Sequence, residues 1–172
     1  MELKELYFSD MEMVKELFLS VFSQEPWNDE WSDEEQLDRY IGDLLARPRA
    51  LCFGLFDQEK LIGLSLGYIR YWYEGTEYRI EEFCISREYQ GQGHGASLLA
   101  DIEKQLADRK IVHILLQTER NLSAYSFYKK MRFPILRRRC NHGQESRTSW
   151  NLLIFVKPSL RMLLTETLRT RG

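Results

Sequence analysis

The chain's densest chemical signal is Gln90-Gly91-Gln92-Gly93-His94-Gly95, followed by Ala96. It lies between an apolar run, EEFCI, and a segment whose Leu98, Leu99, Ile102 and Leu106 recur at helical spacing. Glycines this close together let the main chain approach a ligand and turn successive N–H groups towards it. A helix that begins here adds its own unpaired N–H groups and the positive end of its dipole. Such a loop suits an anion, most naturally a phosphate or diphosphate. A Walker loop is excluded because Gly-His-Gly stands where Gly-Lys-Ser/Thr is required. A dinucleotide fingerprint fits Gly91, Gly93 and Ala96, with Glu119 as its acid. Against it, five residues (SREYQ) separate Ile85 from the first glycine, and the chain upstream reads as helices and hairpins. A turn without any ligand is the plain alternative.

Other residues with chemical capacity flank this loop. Glu81 and Glu82 adjoin it on the strand side, where alternation predicts that they face opposite ways and that at most one reaches a cleft. Cys84 sits in the same apolar run, as Cys52 does in another, and both read as reduced thiols behaving as small hydrophobes. With Cys140 the cysteines number three, without CxxC or ligand spacing, so neither a disulfide framework nor a metal site is expected. The segment Glu25-Pro-Trp27-Asn-Asp29-Glu30-Trp31 combines aromatic faces with carboxylates, which suits a cationic amine. The same tryptophans could equally pin the loop to the core.

Q-x-x-G-x-G opening a helix after EEFCI resembles the acyl-CoA loop of the GNAT N-acetyltransferase superfamily. Asn121-Leu-Ser-Ala-Tyr-Ser-Phe-Tyr128-Lys-Lys-Met-Arg132-Phe133 resembles that family's N-x-x-A-x-x-F/Y-Y-x-K-x-G-F helix. Arg132 departs from the usual glycine and His94 from the usual Ile or Leu, which bears on helix termination rather than on phosphate geometry. The resemblance covers residues 1–156 and implies a mixed, largely antiparallel central sheet flanked by helices.

It further implies acetyl-CoA as co-substrate. Its diphosphate would lie on the Gly91–Ala96 segment, with Gln90, Gln92, His94 and Gly95 around it. The pantetheine arm would run in strand fashion along Phe83, Cys84 and Ile85, and Asn121 would contact the same arm or simply cap its helix. An amine would attack the thioester directly, with Tyr128 protonating the departing thiolate and Glu82, favoured over Glu81, as base through a water. Cys84 is not expected to act as a nucleophile. Trp27, Asp29, Glu30 and Trp31 would form the wall of the cleft for a small cationic amine. A non-catalytic acyl-CoA-binding module and a peptide-amine acetyltransferase are the alternatives.

The elements that must position these residues are legible by period. Lys4–Tyr7 reads as a short strand. A helix follows from Asp10 through Val14, Leu17, Phe18 and Val21 and ends before Pro26. Ser32 and Glu35 form a capping box for a second helix that stops at Arg47–Pro48. Residues 51–56, 61–73 and 76–86 form three strands of an antiparallel meander. Then come the helix after the glycine loop, a strand over 111–119, a helix over 122–131 and strands over 135–140 and 149–156. Residues 157–172 read as a C-terminal helical tail.

The composition, with 44% hydrophobic, 13% aromatic and 29% charged residues in 172, excludes a disordered chain. One domain is expected. No apolar run approaches a membrane span and the acidic N-terminus does not read as a secretory signal, so a cytoplasmic location is expected. Residues 1–50 hold 5 basic and 13 acidic side chains, residues 51–119 hold 7 and 11, and residues 120–172 hold 12 and 2. The segments therefore carry −8, −4 and +10. Arg137–Arg139 lack interleaved aromatics and read as a solvated strand, so no nucleic-acid partner is expected. The apolar 149–156 strand leaves a homodimer open.

Overall fold

A computed structural model describes residues 1–119, 122–136 and 152–158. Its elements are β1 (Glu2–Leu6), α1 (Met11–Phe22), α2 (Glu34–Ala46), β2 (Cys52–Asp57), β3 (Lys60–Trp72), β4 (Gly75–Ile85), α3 (His94–Asp108), β5 (His113–Glu119), α4 (Ser123–Lys130), β6 (Ile135–Leu136) and β7 (Leu152–Pro158). The strands form one sheet in the order β1-β2-β3-β4-β5-β7-β6. β4 and β5 run parallel; the other pairings among the described strands are antiparallel. The mixed, largely antiparallel sheet that the sequence implied is therefore present, with the meander as its β2–β4 half.

The helices cover the sheet on two sides because their apolar stripes have two destinations. Val14, Leu17, Phe18, Val21 and Phe22 of α1 join Leu37, Ile41, Leu44 and Leu45 of α2 over Leu64, Leu66 and Cys84. Leu98, Leu99, Ile102 and Leu106 of α3 join Tyr128 of α4 over Tyr78, Ile80 and Ile85. Each buried Leu, Ile or Phe contributes about 1.5–3 kcal/mol, so these two cores hold the sheet between its helices.

Some boundaries move for local reasons. Asp33, not Ser32, caps α2, its Oδ1 accepting from the Gln36 amide at 3.1 Å. Asp10 does cap α1, but its carboxylate turns back to accept from the Tyr7 amide at 2.8 Å. α4 ends at Lys130, and Arg132 just beyond it adopts φ +59°, a left-handed turn that glycine enters more readily than arginine. The Phe133 amide then reaches back to the Tyr128 carbonyl at 3.1 Å. β7 extends through Lys157 and Pro158, two residues assigned above to the tail. The remainder of that tail, Arg137–Cys140 and Asn121 lie outside the described residues.

One irregularity decides the geometry of β4. Leu66 of β3 pairs with Glu82 and the next residue, Gly67, pairs with Ile80, so Glu81 is an extra residue in the ladder. Such a bulge reverses the in–out alternation. Tyr78 and Ile80 face the α3/α4 core before it; Phe83 and Ile85 face the same core after it, while Cys84 turns to the α1/α2 core.

Candidate active site

β4 and β5 pair from Glu77–His113 only as far as Ile80–Leu116. Beyond that point β4 continues along β3 to Ile85, while β5 continues along β7. The strands splay, and Glu81–Ile85 is left with an edge that β5 does not cover. Among the cavities that open beside it, two share a wall.

The larger, about 440 Å³, is floored by Phe83, Cys84 and Ile85 and closed at one end by the glycine loop. Gln90, Gly91, Gly93, His94, Gly95 and Ala96 all line it. The loop's shape follows from its residues. A 3-10 turn over Arg87–Tyr89 leads into Gly91 at φ +74° and Gly93 at φ +88°, conformations that cost a residue with a Cβ about 1–2 kcal/mol. Gly93 caps α3 with its carbonyl, which accepts from the Ser97 amide at 3.1 Å. No side chain caps the helix, so the amides of His94, Gly95 and Ala96 remain available as orphan donors. A Cβ at Gly91 or Gly93 would meet nothing within 4 Å, so open space lies over the loop.

The loop is held from outside. Gln90 Nε2 donates to the Ile85 carbonyl at 2.8 Å and Gln92 Nε2 to the Glu88 carbonyl at 2.7 Å. Tyr89 donates its hydroxyl hydrogen to Asp57 at 3.1 Å, and Arg87 donates to the Glu25 carbonyl. The two glutamine side chains are thus engaged with main-chain carbonyls of the β4 end and the 3-10 turn, and Gln92 does not line the cavity.

The smaller cavity, about 220 Å³, contains Glu81, Glu82, Gln117 and Thr118. Trp27, Phe83, Ala124 and Tyr128 line both cavities and form the wall they share. Tyr128 is positioned by packing: its ring lies edge-on to Phe83 at 6.3 Å and to Phe133 at 5.7 Å. Burial raises its phenol well above the ordinary tyrosine range, so it carries its proton at neutral pH. Cys84 is likewise buried and its thiol pushed far up, which keeps it from acting as a thiolate.

Because of the bulge, Glu81 and Glu82 both reach the smaller cavity, and the alternation expected of a regular strand does not apply. Burial lifts the Glu82 carboxyl from 4.5 to about 7, against a hydrogen bond from the Tyr40 hydroxyl that pulls it down. Asp29 and Glu81 add like charge.

Of the acceptor-wall residues, Trp27 lines both cavities and packs edge-on against Phe22 at 5.2 Å. Trp31 is turned into the core, stacked on Tyr40 at 5.2 Å and edge-on to Phe18 at 5.6 Å. Asp29 and Glu30 are exposed on the same loop. Among the residues of the site that the sequence did not single out for it are Tyr40, Gln117, Thr118, Phe127 and Lys130. Phe127 and Lys130 belong to the quoted helix motif and could have been read from it. Tyr40 could not, because its partner lies 42 residues away. Among the described residues no group of three or more His, Cys, Asp and Glu could hold a metal, and no helix is long and apolar enough to cross a membrane.

The fold has many solved relatives. The ribosomal-protein-S18-alanine N-acetyltransferase from Escherichia coli is 18% identical, with 92% of this chain and 93% of that one covered at a TM-score of 0.67. The PaiA N-acetyltransferase from Thermoplasma acidophilum, solved in complex with coenzyme A, is 20% identical over 91% and 98%, with a TM-score of 0.65. An aminoglycoside 6'-acetyltransferase type Ii is 17% identical over 93% and 98%, with a TM-score of 0.68. No curated protein matches the sequence. The model of the Acetyltransferase (GNAT) family matches residues 11–133, a span that includes the glycine loop, the splayed strands and α4. The chain belongs to the GNAT acetyltransferase family.

Proposed function

We propose that the protein is an acetyl-CoA-dependent N-acetyltransferase acting on a primary amine of a small, cationic acceptor. The observation that carries this reading is the meeting of two cavities at Tyr128, one ending in open main-chain donors and the other in carboxylates. The larger cavity suits acetyl-CoA. The uncapped first turn of α3 and the open space over Gly91 and Gly93 fit a diphosphate, and Lys130 lines the same cavity as a cation. The uncovered edge of Phe83, Cys84 and Ile85 offers the pantetheine amides a strand to pair with.

Bound there, acetyl-CoA supplies an activated thioester. The residues of the chain do the rest. Glu82, poised near neutrality, accepts the proton that the ammonium must lose before its lone pair can attack the thioester carbonyl. As the C–N bond forms and the C–S bond breaks, the Tyr128 hydroxyl would give its proton to the departing thiolate, and the phenolate left behind would take up the second proton that the acylated nitrogen sheds. Trp27 and Glu81 give the second cavity an aromatic face and negative charge, and Asp29 adds its field at Glu82, which together favour a cationic acceptor. The S18-alanine and aminoglycoside enzymes of like fold bear names that span protein and small-molecule amines.

The experiment is thiol release from acetyl-CoA with spermidine, kanamycin and an alanine-terminated tripeptide, in wild type and Tyr128→Phe. Turnover with spermidine or kanamycin, lowered about 10²-fold or more in Tyr128→Phe with acetyl-CoA binding retained, is expected. Turnover with the tripeptide alone would move the acceptor to protein amines. Saturable acetyl-CoA binding without thiol release from any amine would make the protein a binding module instead.

A further inference from the structure

We propose that Tyr40 is a positioning residue for the base, its hydroxyl fixing the Glu82 carboxylate in the second cavity and favouring its ionised form. This rests on the reading of Glu82 as that base. Tyr40 lies on α2, and its ring is held between Trp31, stacked at 5.2 Å and 30°, and Phe18, at 5.8 Å and 52°. The phenol can therefore point one way, and it donates to Glu82 Oε1 across the interface of α2 and β4.

The groups that face Glu82 show why a donor is needed there. From the α1–α2 connection Asp29 acts on it, and from β4 Glu81; both carry the same charge and favour its protonated form. The Cys84 thiol and the Tyr128 phenol, which feel the Glu82 charge in turn, are themselves kept neutral by burial. Among the described residues Tyr40 is the partner that stabilises the anion. A carboxyl left with burial and two negative neighbours would hold its own proton and could not take one from an amine.

The proton of the Tyr40–Glu82 pair stays on the phenol. Burial and the Glu82 and Glu81 charges all raise Tyr40 far above its ordinary range, and among the described residues Arg47 acts in the other direction. A phenol held neutral remains a donor across the working pH range, so the contact tunes the carboxyl without competing for the role of base. The bulge at Glu81 makes this possible, since a regular strand could not present Glu82 to α2 and still line the cavity.

The test is the titration of the Glu82 side-chain carbon in 13C-glutamate-labelled protein, assigned with Glu82→Gln. A midpoint of about 7 is expected in wild type, rising by about one unit or more in Tyr40→Phe, which keeps the stacked ring and loses the hydroxyl. Fluorotyrosine at position 40, a stronger donor of the same shape, should move the midpoint down. It serves as the second arm should Tyr40→Phe fold poorly. A midpoint that neither substitution moves overturns the proposal. In turnover assays the acid limb of kcat/KM should follow the same shifts. If Glu82→Gln retains both rate and limb while the carboxyl still responds to Tyr40, the assignment of the base fails and the Tyr40 contact stands.

Discussion

Ile80 of β4 is paired with Leu116 of β5, and beyond these two residues the strands have no further rungs in common. A parallel pair that parts in this way leaves one strand edge open in the middle of a sheet, where a buried backbone would otherwise need partners. The α3 glycine loop lies beyond that edge, and α4 packs Phe127 and Tyr128 against the Phe83 ring beside it. A cavity therefore forms where the two strands part.

The main-chain donors of α3 can be removed one at a time. The Ala96 amide precedes the first intrahelical bond, Ser97 to Gly93, so proline at 96 deletes a donor the helix does not use. Ala96→Pro should leave stability within about 1 kcal/mol of wild type, since proline is tolerated in a first helical turn. If a diphosphate rests on this turn, acetyl-CoA affinity should fall about tenfold. Calorimetric titration checks both the loss and its absence.

Glu82 should make stability fall as pH rises. Its folded carboxyl titrates near 7 against 4.5 for an ordinary one, so within that window the folded protein keeps a proton that the unfolded chain has released. The contribution is on the order of 3 kcal/mol, complete once the pH exceeds the folded value. Glutamine at 82 still accepts from Tyr40 and carries no charge. Urea unfolding across the window should show Glu82→Gln gaining on wild type as pH increases. A constant difference between the two proteins would show that the carboxyl is not held near neutrality.

The motifs could be read from the sequence because they are local. A glycine at φ +88°, a helix stripe of Leu98, Leu99 and Ile102, and the three-strand meander each express themselves within a few residues. The site's chemistry was less legible because it depends on register. Alternation assigned Glu81 and Glu82 to opposite faces, and only the pairing of Leu66 with Glu82 and of Gly67 with Ile80 reveals the extra residue. In the same way composition left Trp31 open to an acceptor role or to pinning its loop, and its ring packs on Phe18 and Tyr40.

Arg132 occupies a left-handed turn at φ +59° that closes α4 just after Tyr128. An L-residue there costs about 1–2 kcal/mol, partly offset by the greater unfolded-state freedom of glycine. Arg132→Gly is expected to raise stability by up to about 1 kcal/mol, read as an increased urea midpoint. A lowered midpoint would mean that the arginine side chain contributes more than its backbone strain removes.

Gly67 is where the bulge meets its neighbours. A Cβ at this position would lie 2.3 Å from the Arg79 carbonyl oxygen and 2.8 Å from the Tyr78 ring. The Tyr78 ring is buried and its hydroxyl lies 2.9 Å from Ser65 Oγ, so it has no room to retreat. Gly67→Ala must therefore push β3 from β4, at a cost of about 3 kcal/mol or more. The strain falls at the rungs on either side of Glu81, so under the proposed function the variant should also lose acetyl transfer out of proportion to its folded fraction. Chemical unfolding and thiol release measured on the same preparation separate the two effects: full activity per folded molecule would show that Glu82 is placed independently of the bulge.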